Sequence, residues 1–190
     1  MISIDILSKS IQQYLNFNHF IPFHPRYGCK NCGYAGLIHR HGYYYRYVVS
    51  FNGCFHIPIL RLKCPCCHKT YSILPAFVIP YYQYSFMVIF CCLYASFVFK
   101  KSYQAILMKL HHFPSLTTLS TSHLSFYIRR IRTYCPFYMP FFLNYPTIYH
   151  NMDFHSPTSL LIKAYQLMLV GQHFNHCFFT KMPFYFFQKI

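Results

Sequence analysis

Two cysteine pairs constrain this chain more than any other feature. Cys29-Lys30-Asn31-Cys32-Gly33 and Cys64-Pro65-Cys66-Cys67 each set two thiols two residues apart, at either end of residues 33–63. A CxxC bends the backbone so that both sulfurs point to one locus, and four thiolates make a closed tetrahedral zinc site. The intervening segment is longer than the roughly 15–20 residues of the compact pattern. Asn52-Gly53 supplies the reason, because Asn-Gly between β-rich runs is a strong hairpin signal. One strand leaves the first pair, another returns to the second, and one ion holds both ends. That is the layout of a zinc ribbon. Four sulfurs leave no open coordination position, so the Zn2+ is expected to be structural, its binding energy supporting folding.

The ligands are therefore Cys29, Cys32, Cys64 and Cys67. Cys66 is an alternative to Cys64 or Cys67, but only Cys64/Cys67 repeats the spacing of the first pair. Cys54 is expected to be free in the turn, and Cys91 and Cys92 to be small core residues. The N-terminus, MISIDILSKSIQQYL, is amphipathic and interrupted by Asp5 and Lys9, unlike a signal peptide. This places the chain in the reducing cytoplasm, where close cysteine pairs bind metal rather than form disulfides.

The charge balance narrows the partner. There are 17 Lys+Arg against 2 Asp+Glu, a formal +15. The acids are Asp5 and Asp153, with nothing negative between them. Chemistry that needs paired carboxylates is excluded, including glycoside hydrolysis and two-metal nucleotidyl transfer. No catalytic residue is assigned and the chain is not expected to be an enzyme. A field this positive attracts a polyanion, nucleic acid or an anionic membrane face. AT-rich coding would explain the tyrosines and phenylalanines, but not the missing acids.

The periodicity predicts an α+β chain in four parts. Residues 1–28 are an N-terminal helix (2–15, with Ile4, Leu7, Ile11 and Leu15 on one face) and a loop. Residues 29–80 are a three-stranded zinc ribbon, with strands at 43–50, 55–63 and 70–74; Pro58 suggests an edge position. A proline-punctuated linker spans 75–83. Residues 81–135 are a helical bundle: an apolar run at 84–99, a helix from an N-cap at Ser102 to Leu110, a turn at 111–120, and a helix at 121–134. The last has a buried stripe of Leu124, Tyr127 or Ile128, Ile131 and Tyr134. Its partner across the turn makes the pair resemble a helix-turn-helix, with the second helix entering the major groove N-terminus first. Residues 136–190 are aromatic and broken by prolines, with one helix at 159–170.

Arg40, Tyr43, Tyr45, Arg46, Arg61 and Lys63 on the hairpin, with His41, combine cations and aromatics suited to phosphate contact and base stacking. On the helices His123 and Phe126 are expected near base edges, and Arg129, Arg130 and Arg132 at phosphates. The competing expectation for each is a solvated strand or bundle face.

Three stretches carry a family resemblance. They are the CxxCG at Cys29 to Gly33, "HRHGYYYRYV" from His39, and "RLKCPCCHKTYSILPAFVIPYYQYS" from Arg61. They resemble bacterial insertion-element, transposase-like proteins with an N-terminal zinc ribbon followed by helix-turn-helix-like helices, many of unassigned function. "KKSYQAI" and "SFYIRRIRTY" fit the helices more loosely, for coverage of about residues 29–134. The resemblance implies zinc at the four cysteines and a transposase-related DNA-binding role. His68 departs from it, standing where glycine is usual after the second pair. So does the absence of a carboxylate triad, without which strand transfer cannot be carried here. The expected protein is a recognition or accessory module for duplex DNA, or a truncated remnant.

Two alternatives remain open from sequence. One is a membrane-anchored protein with a basic zinc-ribbon head and its anchor at 84–99, a run near the minimum length for spanning. The other is a ribbon that binds single strands or RNA through its tyrosines. A second metal at His173, His176 and Cys177 with His150, Asp153 or His155 has only chance proximity behind it, among 13 histidines.

Overall fold

A computed structural model of the chain describes residues 2–5, 11–17, 28–29, 31–135 and 156–169. The cysteine-framed segment forms a long hairpin: β2 (His39–Ser50) and β3 (Gly53–Lys63), antiparallel over their full length. Gly42, at φ +127, sits at a register shift between Arg40 and Gly42. Ser50 pairs with Gly53, so the chain reverses on Phe51 and Asn52, one residue earlier than Asn-Gly implies. Of these four residues only Gly53 has positive φ, +142. The primed turns require positive φ at their first central residue, so neither is used here. Glycine is needed at the exit of the turn.

β4 (Thr70–Pro75) pairs antiparallel with β3 over Leu60–Lys63. The three antiparallel strands expected of the ribbon are present, and a fourth joins them from the N-terminal segment, where a helix is expected. β1 (Ile2–Asp5) pairs parallel with β4, Ile2 opposite Ser72 and Asp5 opposite Pro75, giving the order β1-β4-β3-β2. The helix expected over 2–15 is thus a strand at its start, followed by α1 (Ile11–Asn16). Residues 2–5 alternate isoleucine with polar residues, and β4 offers an unpaired edge. Strand addition satisfies that edge and overrides the helical spacing.

Pro58 lies in β3, a central strand, yet β4 stops short of it. Its carbonyl accepts the Tyr14 hydroxyl of α1 at 2.6 Å, so it faces away from β2. In an antiparallel strand a residue's N–H and C=O share a side. The missing N–H of Pro58 therefore faces the stretch that β4 does not cover, which is a local edge.

Residues 75–83 are core, not linker. Phe77, Val78, Ile79 and Tyr82 are buried. Val49 N–H donates to the Gln83 carbonyl and Ser85 N–H to the Val49 carbonyl, both at 2.8 Å, so this segment covers the outer edge of β2 at Val49. Its prolines stop a helix from forming, but its apolar side chains still have to be buried.

Among the described residues four helices follow: α2 (Phe86–Phe97), α3 (Tyr103–Leu110), α4 (Thr121–Tyr134) and α5 (Pro157–Leu169), with a 3-10 turn at Pro114–Leu116. The Ser102 hydroxyl accepts from Ala105 N–H at 3.3 Å, the expected N-cap. Ser120 and His123 form a reciprocal cap at the start of α4. α4 buries Leu124, Tyr127, Ile128, Ile131 and Tyr134, as its spacing predicts. α5 lies against α2, with Leu160, Leu161 and Ala164 buried and Thr158 Oγ1 donating to the Phe97 carbonyl.

Sheet and helices share one continuous core, from Ile57 and Leu62 through Ile79 and Tyr84 to Leu124 and Ile131. The hairpin tip joins it. Ser115 Oγ donates to the Ser50 carbonyl at 2.6 Å, and Phe51 meets Phe113 edge-on at 5.0 Å. The α3–α4 turn is therefore also the seat of the hairpin. Among the described residues no helix is long and apolar enough to cross a membrane. The apolar run at 84–99 instead becomes α2, burying Phe86, Val88, Ile89, Phe90, Cys92 and Leu93. The histidine cluster near the C-terminus lies outside the described residues.

Candidate metal centre and nucleic-acid interface

The sulfurs of Cys29, Cys32, Cys64 and Cys67 all lie within 4.8 Å of one another. Cys29 Sγ is 3.6 Å from Cys67 Sγ, and Cys32 Sγ is 3.8 Å from Cys64 Sγ. Tetrahedral coordination at the usual Zn–S length of about 2.3 Å separates sulfurs by about 3.8 Å. The four cysteines can hold a metal ion of this kind. Cys66 is exposed and outside the cluster, which removes the ambiguity over the second pair.

The two pairs are built alike. Gly33 N–H donates to the Cys29 carbonyl at 2.8 Å, and His68 N–H to the Cys64 carbonyl at 3.0 Å. Cys29 N–H donates to the Tyr34 carbonyl and Cys64 N–H to the Lys69 carbonyl. In each knuckle the residue after the second cysteine is left-handed, Gly33 at φ +74 and His68 at φ +57. Lys69 Nζ donates to Asn31 Oδ1 at 2.8 Å and links one knuckle to the other. β2 and β3 fix the distance between the pairs, since His39 sits opposite Lys63 beside the cluster.

The site is half sunk. Cys29 and Cys64 are buried, Cys67 is partly covered and Cys32 is exposed. From the core, the Tyr71 hydroxyl hydrogen-bonds the Cys29 sulfur. Burial pushes the Cys29 thiol up, but Tyr71 and the N–H groups of Asn31 and Cys32 outweigh it and bring it down to about 6. The Tyr34 N–H favours a Cys32 thiolate, yet burial and the other three sulfurs push that thiol up to about 12. Cys67 is lowered, chiefly by the Lys69 N–H. Sulfurs this close cannot all ionise against one another, and a divalent cation removes the conflict.

The cationic residues separate into two kinds. Arg46 is a structural tie: its guanidinium reaches the Tyr82 carbonyl, and burial lowers its pKa. Arg61, half-buried, donates to Thr70 Oγ1 at 2.9 Å across the β3–β4 pair. Lys63 is half-buried beside it. Arg130 is half-buried over the rings of Phe126 and Tyr134 and donates to the Tyr134 hydroxyl at 3.1 Å. His123 caps α4, its Nδ1 accepting from Ser120 N–H, and its ring meets Tyr84. Phe126 is half-buried against Tyr82.

The remainder are exposed, with the Arg132 guanidinium also lying over the Phe97 ring, 5.5 Å from its centroid. On α4 the exposed residues Ser122, Ser125, Arg129 and Arg132 recur every three or four positions and form one polar, cationic stripe opposite the buried one. On the hairpin Arg40 and Tyr45 are exposed, with Arg40 donating to the half-buried Tyr43 hydroxyl at 3.3 Å. Tyr47 and His56, which the sequence did not single out, are exposed beside them. Ring alternation along β2 is the available signal for Tyr47, and the hairpin register brings His56 of β3 opposite it.

Residues 29–105 match the model of a family described as a domain of unknown function (DUF6431). The match takes in both cysteine pairs, the hairpin, β4 and α2, and ends inside α3. No curated protein and no solved structure matches the chain.

Proposed function

We propose that the chain is a zinc-dependent DNA-binding module of insertion-element kind, acting in the cytoplasm in recognition or as an accessory rather than in catalysis. The observation that carries this is the stripe of Ser122, Ser125, Arg129 and Arg132 on α4, whose opposite face is wholly committed to the core. Cations held on a rigid helix in a chain with so few acids suit a phosphate backbone, and the short polar side chains near its N-terminus suit base edges. α3, the turn and α4 follow one another as in a helix-turn-helix, though the turn is longer and packs on the hairpin tip. Zinc at the four cysteines supplies no Lewis acid. It closes the open end of the hairpin, whose other end braces the α3–α4 turn through Ser115 and Phe51.

The test is duplex binding across a salt series. Affinity should fall linearly in log–log form, with a slope of about −0.9 for each phosphate neutralised. Arg129→Ala with Arg132→Ala should flatten that slope by nearly two such contacts. Salt-insensitive binding, or none, would sink the proposal.

A further inference from the structure

One surface is left unexplained by a duplex bound at α4. Tyr43, Tyr45 and Tyr47 alternate onto one face of β2. Tyr47 stands opposite His56 of β3, and their rings stack at 4.6 Å with planes 25° apart. Tyr45 is tilted against the same imidazole, its ring 4.9 Å from His56 with planes 31° apart. Tyr45 is 48% exposed and Tyr47 59%, and His56 is exposed as well. The reverse face of the same hairpin buries Val48 and Ile57. β4 pairs only with the far half of β3, so on the side away from β2 no described strand runs alongside His56.

We infer that this three-ring stack is a binding site for the unpaired bases of a single nucleic-acid strand. Aromatic rings already stacked on a rigid hairpin lose little side-chain freedom when a base is added, so the ordering cost of binding is low. Base–aromatic stacking needs the flat face of a base. A duplex hides that face and a single strand presents it. Arg40, exposed on the same strand and bonded to the Tyr43 hydroxyl, supplies a cation for the phosphate that follows. Residues 6–152 contain no acid to repel it. DNA and RNA share the chemistry used here. This site adds to the duplex reading and does not depend on α4.

The chain contains no tryptophan, so Tyr47→Trp places a single indole reporter in the stack. It is titrated with oligothymidylate and oligouridylate of roughly ten nucleotides, within the range of known single-strand sites, and with a duplex. Saturable quenching by either single strand is expected. Tyr47→Ala and His56→Ala, checked for metal content and circular dichroism, should weaken single-strand binding roughly ten-fold while leaving duplex binding unchanged. Tyr47→Phe should retain the single-strand affinity. Unchanged single-strand affinity in Tyr47→Ala and His56→Ala, quenching by duplex alone, or Tyr47-dependent self-association without oligonucleotide binding overturns the inference. Loss of duplex binding with Tyr47-dependent single-strand binding intact overturns only the role given to α4.

Discussion

His68 occupies the position in the second knuckle that Gly33 occupies in the first. Each follows the second cysteine of its pair, each donates its N–H to the carbonyl of the first cysteine, and each is left-handed. A side chain in that conformation costs roughly 1–2 kcal/mol, and glycine avoids the cost. His68→Gly should therefore stabilise the metal-loaded protein by about 1 kcal/mol in denaturant unfolding. Gly33→Ala should cost a similar amount through conformation alone, because an added Cβ there meets nothing within 4 Å.

Metal content separates the cysteines. One zinc per chain is expected by native mass spectrometry, and chelation should unfold the hairpin. Replacing Cys64 or Cys67 by Ser should abolish retention. Cys66→Ser should leave both stoichiometry and thermal stability unchanged, because its thiol is exposed and outside the cluster.

Tyr71→Phe keeps a buried ring and removes one hydrogen bond to the Cys29 sulfur. Groups that hydrogen-bond a metal ligand typically contribute ten-fold or more to metal affinity. A chromogenic chelator should take the metal from this variant about ten times more readily than from the wild type. Equal competition would show that the hydroxyl does not support the thiolate.

Two arginines of the same charge should behave in opposite ways. Arg46→Ala cuts a half-buried tie to the Tyr82 carbonyl, and should lower stability by roughly 1.5–3 kcal/mol. Arg129→Ala removes an exposed cation, and should leave stability within about 0.5 kcal/mol while weakening duplex binding. Thermal melts and anisotropy titrations on the two variants check both halves.

Burial pushes the Cys92 thiol up to about 12 from the ordinary range near 9, and raises the Tyr127 phenol as well. A group whose folded pKa is raised supports the fold while protonated and ceases to do so as pH climbs. Stability should therefore hold below pH 9 and decline from there toward 12. Cys92→Ala should soften that alkaline decline, read as melting temperature against pH.

The metal centre was legible because its information is local: CxxC spacing fixes the sulfurs whatever surrounds them. The helices from Ser102 to Tyr134 were legible for a similar reason, through an N-cap and an apolar stripe. β1 was not, because its strand character comes from an edge seventy residues away rather than from its own spacing. Phe77, Val78, Ile79 and Tyr82 read as linker because prolines punctuate the segment, yet they are core. Proline sets the backbone path, and the apolar side chains around it decide burial. Arg46 and His123 show the same limit at the site, since residue type alone does not separate a polar side chain facing solvent from one spent on a carbonyl or a cap.

The parallel strand at the start of the chain has a practical corollary for anyone trimming this protein. A fragment cut to residues 29–105 keeps every sulfur of the metal cluster but strips β1 from β4, opening Ser72 to Pro75 as a bare template, and removes α4 from beneath α2. Such a piece would load zinc and still recruit its own copies along that raw flank. Ile2 to Asp5 serve as a seal, and solubility is lost before metal is.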